Sequence, residues 1–308
     1  MFVVEKMKKK TLVLTAAAAA VLTGELYRYV FCRSGSPLFN LFSDNKNHVR
    51  DFTLYRDSAA ERLRAAPQER ICIRSDRGEE LCGFYLPCGE KPSGKIAFLI
   101  HGYRSDHAEA AGMFMDYYHS RGFDLFCCDH TASGESGGRL IGYDVYESQD
   151  CLKWLSYLTG RFGENVQIVL HGFSMGGATV LKMSDRVPEN VRFIVSDSGF
   201  MNVVSLLSKR LYFMVQPLRA INRLTAGYSL KDTDVRPNLA RCHTPVLFVH
   251  GMEDHTVPAD VGQALYALCL SEKDHLWVPE ARHVESMYVA PEEYAAKLDS
   301  FIEKYVKK

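Results

Sequence analysis

Six short apolar runs, rich in branched and aromatic residues, punctuate the chain at 96–100, 123–128, 166–170, 193–195, 246–249 and 276–278. Each has the length and composition of a strand buried on both faces, and segments long enough for a helix lie between them. This alternation predicts a mostly parallel sheet covered by helices. Upstream, Ile71-Cys72-Ile73 and the run 81–86 flank Asp76-Arg77-Gly78, a turn signal that predicts a hairpin. Near the end, Pro291 with Glu292 and Glu293 suits a first helical turn, and Leu298, Phe301, Ile302 and Tyr305 form an apolar stripe that would seal the sheet.

Two segments depart from this rhythm. Residues 200–238 are too long for a simple connection between strands. They are apolar (Leu206, Leu207, Leu211, Leu218) and carry Lys209, Arg210, Arg219 and Arg223 with no acidic residue before Asp232, which predicts a small helical lid. The other departure is the N-terminus, where Lys6, Lys8, Lys9 and Lys10 precede an uncharged run, 11–24, with five consecutive alanines. A basic start followed by an apolar stretch is the pattern of a secretory signal or signal-anchor. The run alone is short for a spanning helix, which needs roughly 20 residues. Leu26, Tyr27, Tyr29, Val30 and Phe31 would extend it and place aromatics at the membrane interface. The expectation is an uncleaved anchor over 1–34 and one domain over 35–308 outside the cytoplasm, joined by a polar stretch at 34–47. Cleavage after Ala18-x-Ala20, giving a secreted protein, and a merely buried helix are the alternatives.

A chain 47% hydrophobic and 24% charged is neither disordered nor collagen-like nor a many-pass membrane protein. Lys+Arg and Asp+Glu are 37 each, so no basic field recommends nucleic acid as a partner. The nine cysteines are an odd number with neither Cys-x-x-Cys nor Cys/His zinc spacing, and read mostly as buried small hydrophobes.

The chemistry concentrates in Val169-Leu170-His171-Gly172-Phe173-Ser174-Met175-Gly176-Gly177-Ala178, where Gly-x-Ser-x-Gly joins an apolar run to a helical pattern. A nucleophile at such a sharp turn takes a strained backbone conformation, costing on the order of 1–3 kcal/mol. The residues two positions to either side must be tiny, as Gly172 and Gly176 are, and Ser174 then projects above the sheet. The helix starting at Met175 aims free N–H groups at developing negative charge. A serine hydroxyl needs a base, and the base an orienting acid. His283 follows the last apolar run, and Asp254 follows the run at 246–249; Asp197, after the preceding run, and His255 compete with them. The glycines fit neither Gly-x-Gly-x-x-Gly nor Gly-x-x-x-x-Gly-Lys, so nucleotide binding has no support.

The order Ser174, Asp254, His283 is that of the α/β-hydrolase superfamily, which the chain resembles over roughly 71–305. It looks most like bacterial serine aminopeptidase-like and esterase-like members exported on an N-terminal anchor. His101-Gly102-Tyr103 matches the family's oxyanion turn, so the resemblance implies that the backbone N–H groups of Tyr103 and Met175 bind a tetrahedral oxyanion. Asp129 to Ser136 occupies the family's aspartate-to-Gly-x-Ser loop, with Ser133 where many members carry histidine. The resemblance implies a twisted, mostly parallel sheet with helices on both faces and a small lid contributing to the pocket. It also implies a carboxylesterase-like serine hydrolase acting on a small, hydrophobic acyl substrate. Peptidase, lipase and thioesterase share this triad, and a noncatalytic receptor or scaffold is the non-enzyme alternative. No cofactor or metal is expected: no His-x-x-x-His pair occurs, and His101 and His171 read as hydrogen-bonded structural groups at the sheet top.

Overall fold

The computed structural model describes the backbone of residues 2–36 and 50–307 and the side chains of 17–36, 50–207 and 213–307. The N-terminal lysine side chains, those of Lys209, Arg210 and Leu211, and most of the 34–47 stretch lie outside the described residues. The hairpin forms as predicted: β1 (Glu69–Arg74) and β2 (Glu80–Leu86) pair antiparallel, with Cys72 opposite Cys82. β2 is also antiparallel to β4 (Asp124–Cys128). From there the sheet is parallel through β3 (Lys95–Ile100), β5 (Gln167–Phe173), β6 (Val191–Asp197), β7 (Val246–Gly251) and β8 (Lys273–Val278). The spatial order is β1-β2-β4-β3-β5-β6-β7-β8.

Side chains alternate across the sheet and build a core on each face. On one face Ile96, Phe98 and Ile100 join Trp154 of α5 (Val145–Phe162), Val180 of α6 (Met175–Met183) and Leu265 of α10 (Ala259–Leu268). On the other, Ala97 and Leu99 meet Phe52 and Leu63 of α2 (Arg50–Ala65) and Ala108 of α3 (His107–Gly112). Tyr118 of α4 (Met115–Ser120) and Leu298 and Phe301 of α11 (Pro291–Tyr305) complete that core. The terminal helix thus seals the sheet as its stripe predicts, with the Phe301 ring 5.4 Å from that of Phe193. The last apolar run departs from expectation. β8 is an edge strand with one neighbour, and only its Val278 is buried.

Between β6 and β7 lie α7 (Val203–Leu211), α8 (Val215–Thr225) and α9 (Arg236–Leu239), so the segment at 200–238 is helical as expected. Leu207, Leu218 and Leu230 are buried in the first core, while Phe213 and Leu224 face outward.

The anchor expected over 1–34 is not supported. Among the described residues no helix is long and apolar enough to cross a membrane. α1 (Phe2–Phe31) is one helix whose last two turns pack against protein. Leu26, Tyr27, Val30 and Phe31 are buried in the first core, and Phe31 is wholly inaccessible. Phe31 stacks on Tyr27 at 4.9 Å and meets Tyr143 edge-on at 5.2 Å. The Tyr27 hydroxyl donates to Asn222 Oδ1 of α8 (3.2 Å) and lies 2.6 Å from Thr225 Oγ1. The positions 26, 27, 30 and 31 share one helix face. That face meets the same apolar environment in a bilayer or in a protein core, so composition alone does not distinguish them.

Candidate active site

β5 ends at Phe173 and α6 begins at Met175, leaving Ser174 between them at φ 54° and ψ −112°. The site requires glycine on both sides: a Cβ on Gly172 would stand 2.1 Å from the Gly176 carbonyl oxygen, and one on Gly176 would stand 2.0 Å from that of Ile100. The Ser174 N–H donates to the Asp197 carbonyl (2.8 Å) and its own carbonyl accepts from Ala178 N–H (2.9 Å), which pins the turn. Oγ points at the loop following β8, where His283 Nε2 lies 2.8 Å away. His283 Nδ1 lies 2.7 Å from Oδ2 of Asp254, which follows β7. The structure therefore brings Ser174, His283 and Asp254 together in one hydrogen-bonded line.

Asp254 is buried and its Oδ1 accepts from the Thr256 and Val257 N–H groups, each at 2.8 Å. Burial pushes its pKa up, but hydrogen bonds from His250, His283 and Val257 N–H outweigh burial and hold the carboxyl well below the usual range. His250 Nε2 donates to the Val257 carbonyl (2.8 Å) and stands 3.4 Å from Asp254 Oδ2. Burial opposes the charged imidazole there, yet the Asp254 carboxylate raises the His250 pKa overall. With Asp254 ionised, His283 Nδ1 carries the proton and donates it, so Nε2 presents a lone pair to the Ser174 hydroxyl.

The turn after β3 passes beside the serine: a Cβ on Gly102 would lie 3.3 Å from Ser174 Cβ and 3.2 Å from the Phe173 carbonyl oxygen. Tyr103 thus begins the backbone flanking Ser174 on one side. Met175, the first residue of α6, flanks it on the other with an N–H that has no intrahelical acceptor. The Tyr103 phenol points elsewhere, donating to the Tyr29 and Val30 carbonyls of α1 at 3.0 Å each.

Neither competitor enters the line. His255 is exposed. Asp197 accepts instead from Ser198 Oγ (2.9 Å) and Tyr294 OH (3.0 Å), and complete burial pushes its carboxyl up to about 6. It continues a buried chain, because Tyr294 OH lies 2.9 Å from His171 Nε2, and His171 Nδ1 lies 3.0 Å from Tyr118 OH. With Tyr294 donating to Asp197, His171 donates through Nε2 and accepts at Nδ1; burial lowers its pKa to about 3. At the other end Ser198 Oγ accepts from Val284 N–H (3.2 Å), so the chain reaches the residue next to His283. His101 Nε2 accepts from His130 N–H (3.0 Å), which leaves Nδ1 to donate to the Gly102 carbonyl (2.7 Å). Both histidines thus make the structural bonds expected of them. His250 escaped the sequence reading, although it precedes a glycine at a strand end just as His101 and His171 do.

The Asp129 loop folds around its own carboxylate: Oδ1 accepts from His107 N–H (2.8 Å) and Oδ2 from Glu135 N–H (2.7 Å). Burial pushes against the charge, but these bonds and the His107 ring lower its pKa to about 2. Away from Ser174, two clusters each bring three donor atoms within 4.8 Å of one another: the buried Cys128, His130 and Cys151, and, at the sheet edge, Cys72, Glu80 and Cys82. Burial holds the Cys128 thiol well above its ordinary pKa, which disfavours the thiolate that a metal requires.

A cavity of about 290 Å³ opens at Ser174, lined by Tyr103, Ala110, Met113, Phe173 and Val284, with Arg56 and Glu109 among its polar groups. None of the described residues of 200–238 lines it, which corrects the expectation of a lid contributing to the pocket. α2 and the α3 region wall this side, whereas the insertion packs on α1 and α5 through Tyr27–Asn222 and Tyr146–Ala226.

Among curated proteins, YqkD of Bacillus subtilis (strain 168) is 26% identical over 203 residues, which is 63% of this chain and 66% of YqkD. YfhR of Escherichia coli (strain K12) is 24% identical over 224 residues, 71% of this chain and 74% of YfhR. Among solved structures, the Pyrococcus furiosus esterase Pf2001 superposes with a TM-score of 0.65 at 18% identity, covering 80% of this chain and 96% of that one, which is a likeness of fold. Residues 115–308 match the prolyl oligopeptidase family (Peptidase_S9). That match takes in Ser174, Asp254 and His283 and well over half of the sequence, so this chain, built on the α/β-hydrolase fold, belongs to the prolyl oligopeptidase family.

Proposed function

We propose that the protein is a serine hydrolase that cleaves short-chain carboxylic esters through an acyl-enzyme. Ser174 attacks the ester carbonyl while His283 Nε2 takes the hydroxyl proton and passes it to the leaving alcohol; Asp254 holds the resulting imidazolium. The N–H groups of Tyr103 and Met175 receive the oxyanion, each worth about 2.7–4 kcal/mol in sites of this kind. Water, deprotonated by His283, then attacks the acyl-enzyme, releasing the acid and restoring the serine.

The observation that carries this reading is the continuous path from Asp254 through His283 to Ser174, at 2.7 and 2.8 Å, opening on a cavity. At about 290 Å³ the cavity lies at the low end of ligand pockets, and its apolar lining suits a short acyl chain. Peptide or amide cleavage is the second reading, favoured by the family match and by a triad that serves both bonds.

The test is to assay the full chain on nitrophenyl acetate, butyrate and octanoate beside peptidyl nitroanilides, and to label it with a fluorophosphonate. Expected are faster turnover of acetate and butyrate than of octanoate, and a loss of about 10⁶-fold in kcat for Ser174→Ala. A wild-type protein that neither turns over nor labels would leave the scaffold reading. Preference for the nitroanilides would favour the peptidase.

A further inference from the structure

The turn that carries Tyr103 is fastened to the end of α1. The carbonyls in the last turn of a helix have no N–H partners within it, and they concentrate partial negative charge. Here Tyr103 and Arg104 of the turn after β3, with Tyr143, supply those partners. The Tyr103 hydroxyl bonds the Tyr29 and Val30 carbonyls at 3.0 Å each. Arg104 donates through NH2 to the carbonyls of Tyr29 (2.7 Å) and Cys32 (3.0 Å), and through Nε to the Tyr103 hydroxyl (2.8 Å). The Tyr143 hydroxyl adds a bond to the Val30 carbonyl (3.2 Å), and its ring stacks on that of Tyr103 at 5.4 Å. Arg104 itself sits at φ 55°, a conformation a non-glycine residue keeps only when its surroundings impose it.

We propose that the C-terminal turn of α1 is a positioning element for the oxyanion turn. The Tyr103 phenol and the Arg104 guanidinium, seated on the carbonyls of residues 29, 30 and 32, fix the peptide whose N–H, from Tyr103, the proposed mechanism assigns to the oxyanion. This rests on the serine-hydrolase reading above. The orientation of that N–H depends on the backbone at residues 102–104, which these bonds hold from outside the site. α1 is in turn immobilised by its buried Leu26, Val30 and Phe31, so the anchorage is rigid. Tyr103 and Arg104 act through the backbone and are positioning residues.

The experiment compares the full chain with Tyr103→Phe, Arg104→Gln, the double variant and Arg104→Lys. Measured are kcat and KM for nitrophenyl butyrate, the fluorophosphonate labelling rate and the melting temperature. Tyr27→Phe serves as a stability control: it removes the hydroxyl bonds to Asn222 and Thr225 on the insertion, leaving the buried face of α1 and its bonds to the turn in place. Loss of a whole oxyanion donor costs about 10²–10³-fold in kcat, and a displaced donor should lose part of that. The double variant is therefore expected to lose about 10–100-fold in kcat with KM within twofold, Arg104→Lys to recover part of the loss, and Tyr27→Phe to lower the melting temperature with kcat kept. The proposal is overturned if the double variant of an active enzyme keeps its kcat, or loses no more than Tyr27→Phe does at equal loss of melting temperature. A wild-type chain without turnover or labelling would overturn the serine-hydrolase reading and this proposal with it.

Discussion

Asp254→Asn changes one atom and tests the polarity of the whole hydrogen-bonded line. The Asp254 carboxylate accepts on both sides: Oδ1 from two backbone N–H groups, Oδ2 from His283. Asparagine accepts on one side only. Turning its NH2 toward Thr256 and Val257 would leave two N–H groups facing a donor, the buried one of Val257 alone costing about 1–3 kcal/mol. The cheaper arrangement keeps the carbonyl there and aims the NH2 at His283. Nδ1 must then accept, the proton moves to Nε2, and the imidazole has no lone pair for Ser174. In a triad this tautomer error costs about 10⁴ in kcat, or about 5.4 kcal/mol of transition-state stabilisation. The assay is steady-state hydrolysis of nitrophenyl butyrate together with the rate of fluorophosphonate labelling, with circular dichroism to verify the fold. KM should stay within a few-fold, since Asp254 does not line the cavity. A folded Asp254→Asn enzyme within tenfold of the wild-type kcat would refute the reasoning, because the tautomer argument leaves no partial loss.

Three further outcomes follow from the packing and the charges. Gly176→Ala drives a Cβ into the Ile100 carbonyl and should cost about 3 kcal/mol in urea unfolding, the upper end for overpacking; a loss under 0.5 kcal/mol would show the turn to be slack. Asp197, with its carboxyl raised to about 6, binds a proton more tightly folded than unfolded, so its contribution to stability is greatest below about pH 4 and declines as pH rises to about 6. Asp197→Asn should flatten that decline in melts between pH 4 and 7, and parallel wild-type and variant profiles would contradict it. Arg77 bonds both carboxylate oxygens of the buried Asp150 at 2.9 and 2.7 Å, so Arg77→Ala should destabilise by about 3 kcal/mol, and adding Asp150→Asn should recover part of it.

The sheet was readable because parallel strands buried on both faces leave uninterrupted apolar runs; all six runs fall on strands, although the edge strand β8 is buried only at Val278, and the Asp76-Arg77-Gly78 turn joins β1 to β2. The Gly-x-Ser-x-Gly turn was readable for a steric reason, since a Cβ on either glycine would meet a carbonyl oxygen at about 2 Å. The apolar runs alone did not decide whether Asp254 or Asp197 faces His283, because one ends β6 and the other follows β7; the residue order of the resembled superfamily pointed to Asp254. The fate of α1 was hidden more deeply. Leu26, Tyr27, Val30 and Phe31 form a face whose partners, Tyr143 and Asn222, stand more than a hundred residues away. The pocket wall was missed because α2 and α3 reach it only through the fold, whereas the length of the 200–238 segment drew attention to itself.

His283 follows β8, the last strand along the chain, and this orders the making of the site in time. Everything that shapes the turn at Ser174, from the Ile100 carbonyl through Gly172 and Gly176 to the Asp197 carbonyl, precedes residue 198 in the chain. A chain emerging N-terminus first presents its serine before Asp254, and Asp254 before His283. The growing polypeptide therefore carries an unactivated hydroxyl, harmless to esters and inert to acylating agents, until β8 docks on β7 and delivers the imidazole. Reactivity toward an acylating probe would then report completion of the sheet edge itself.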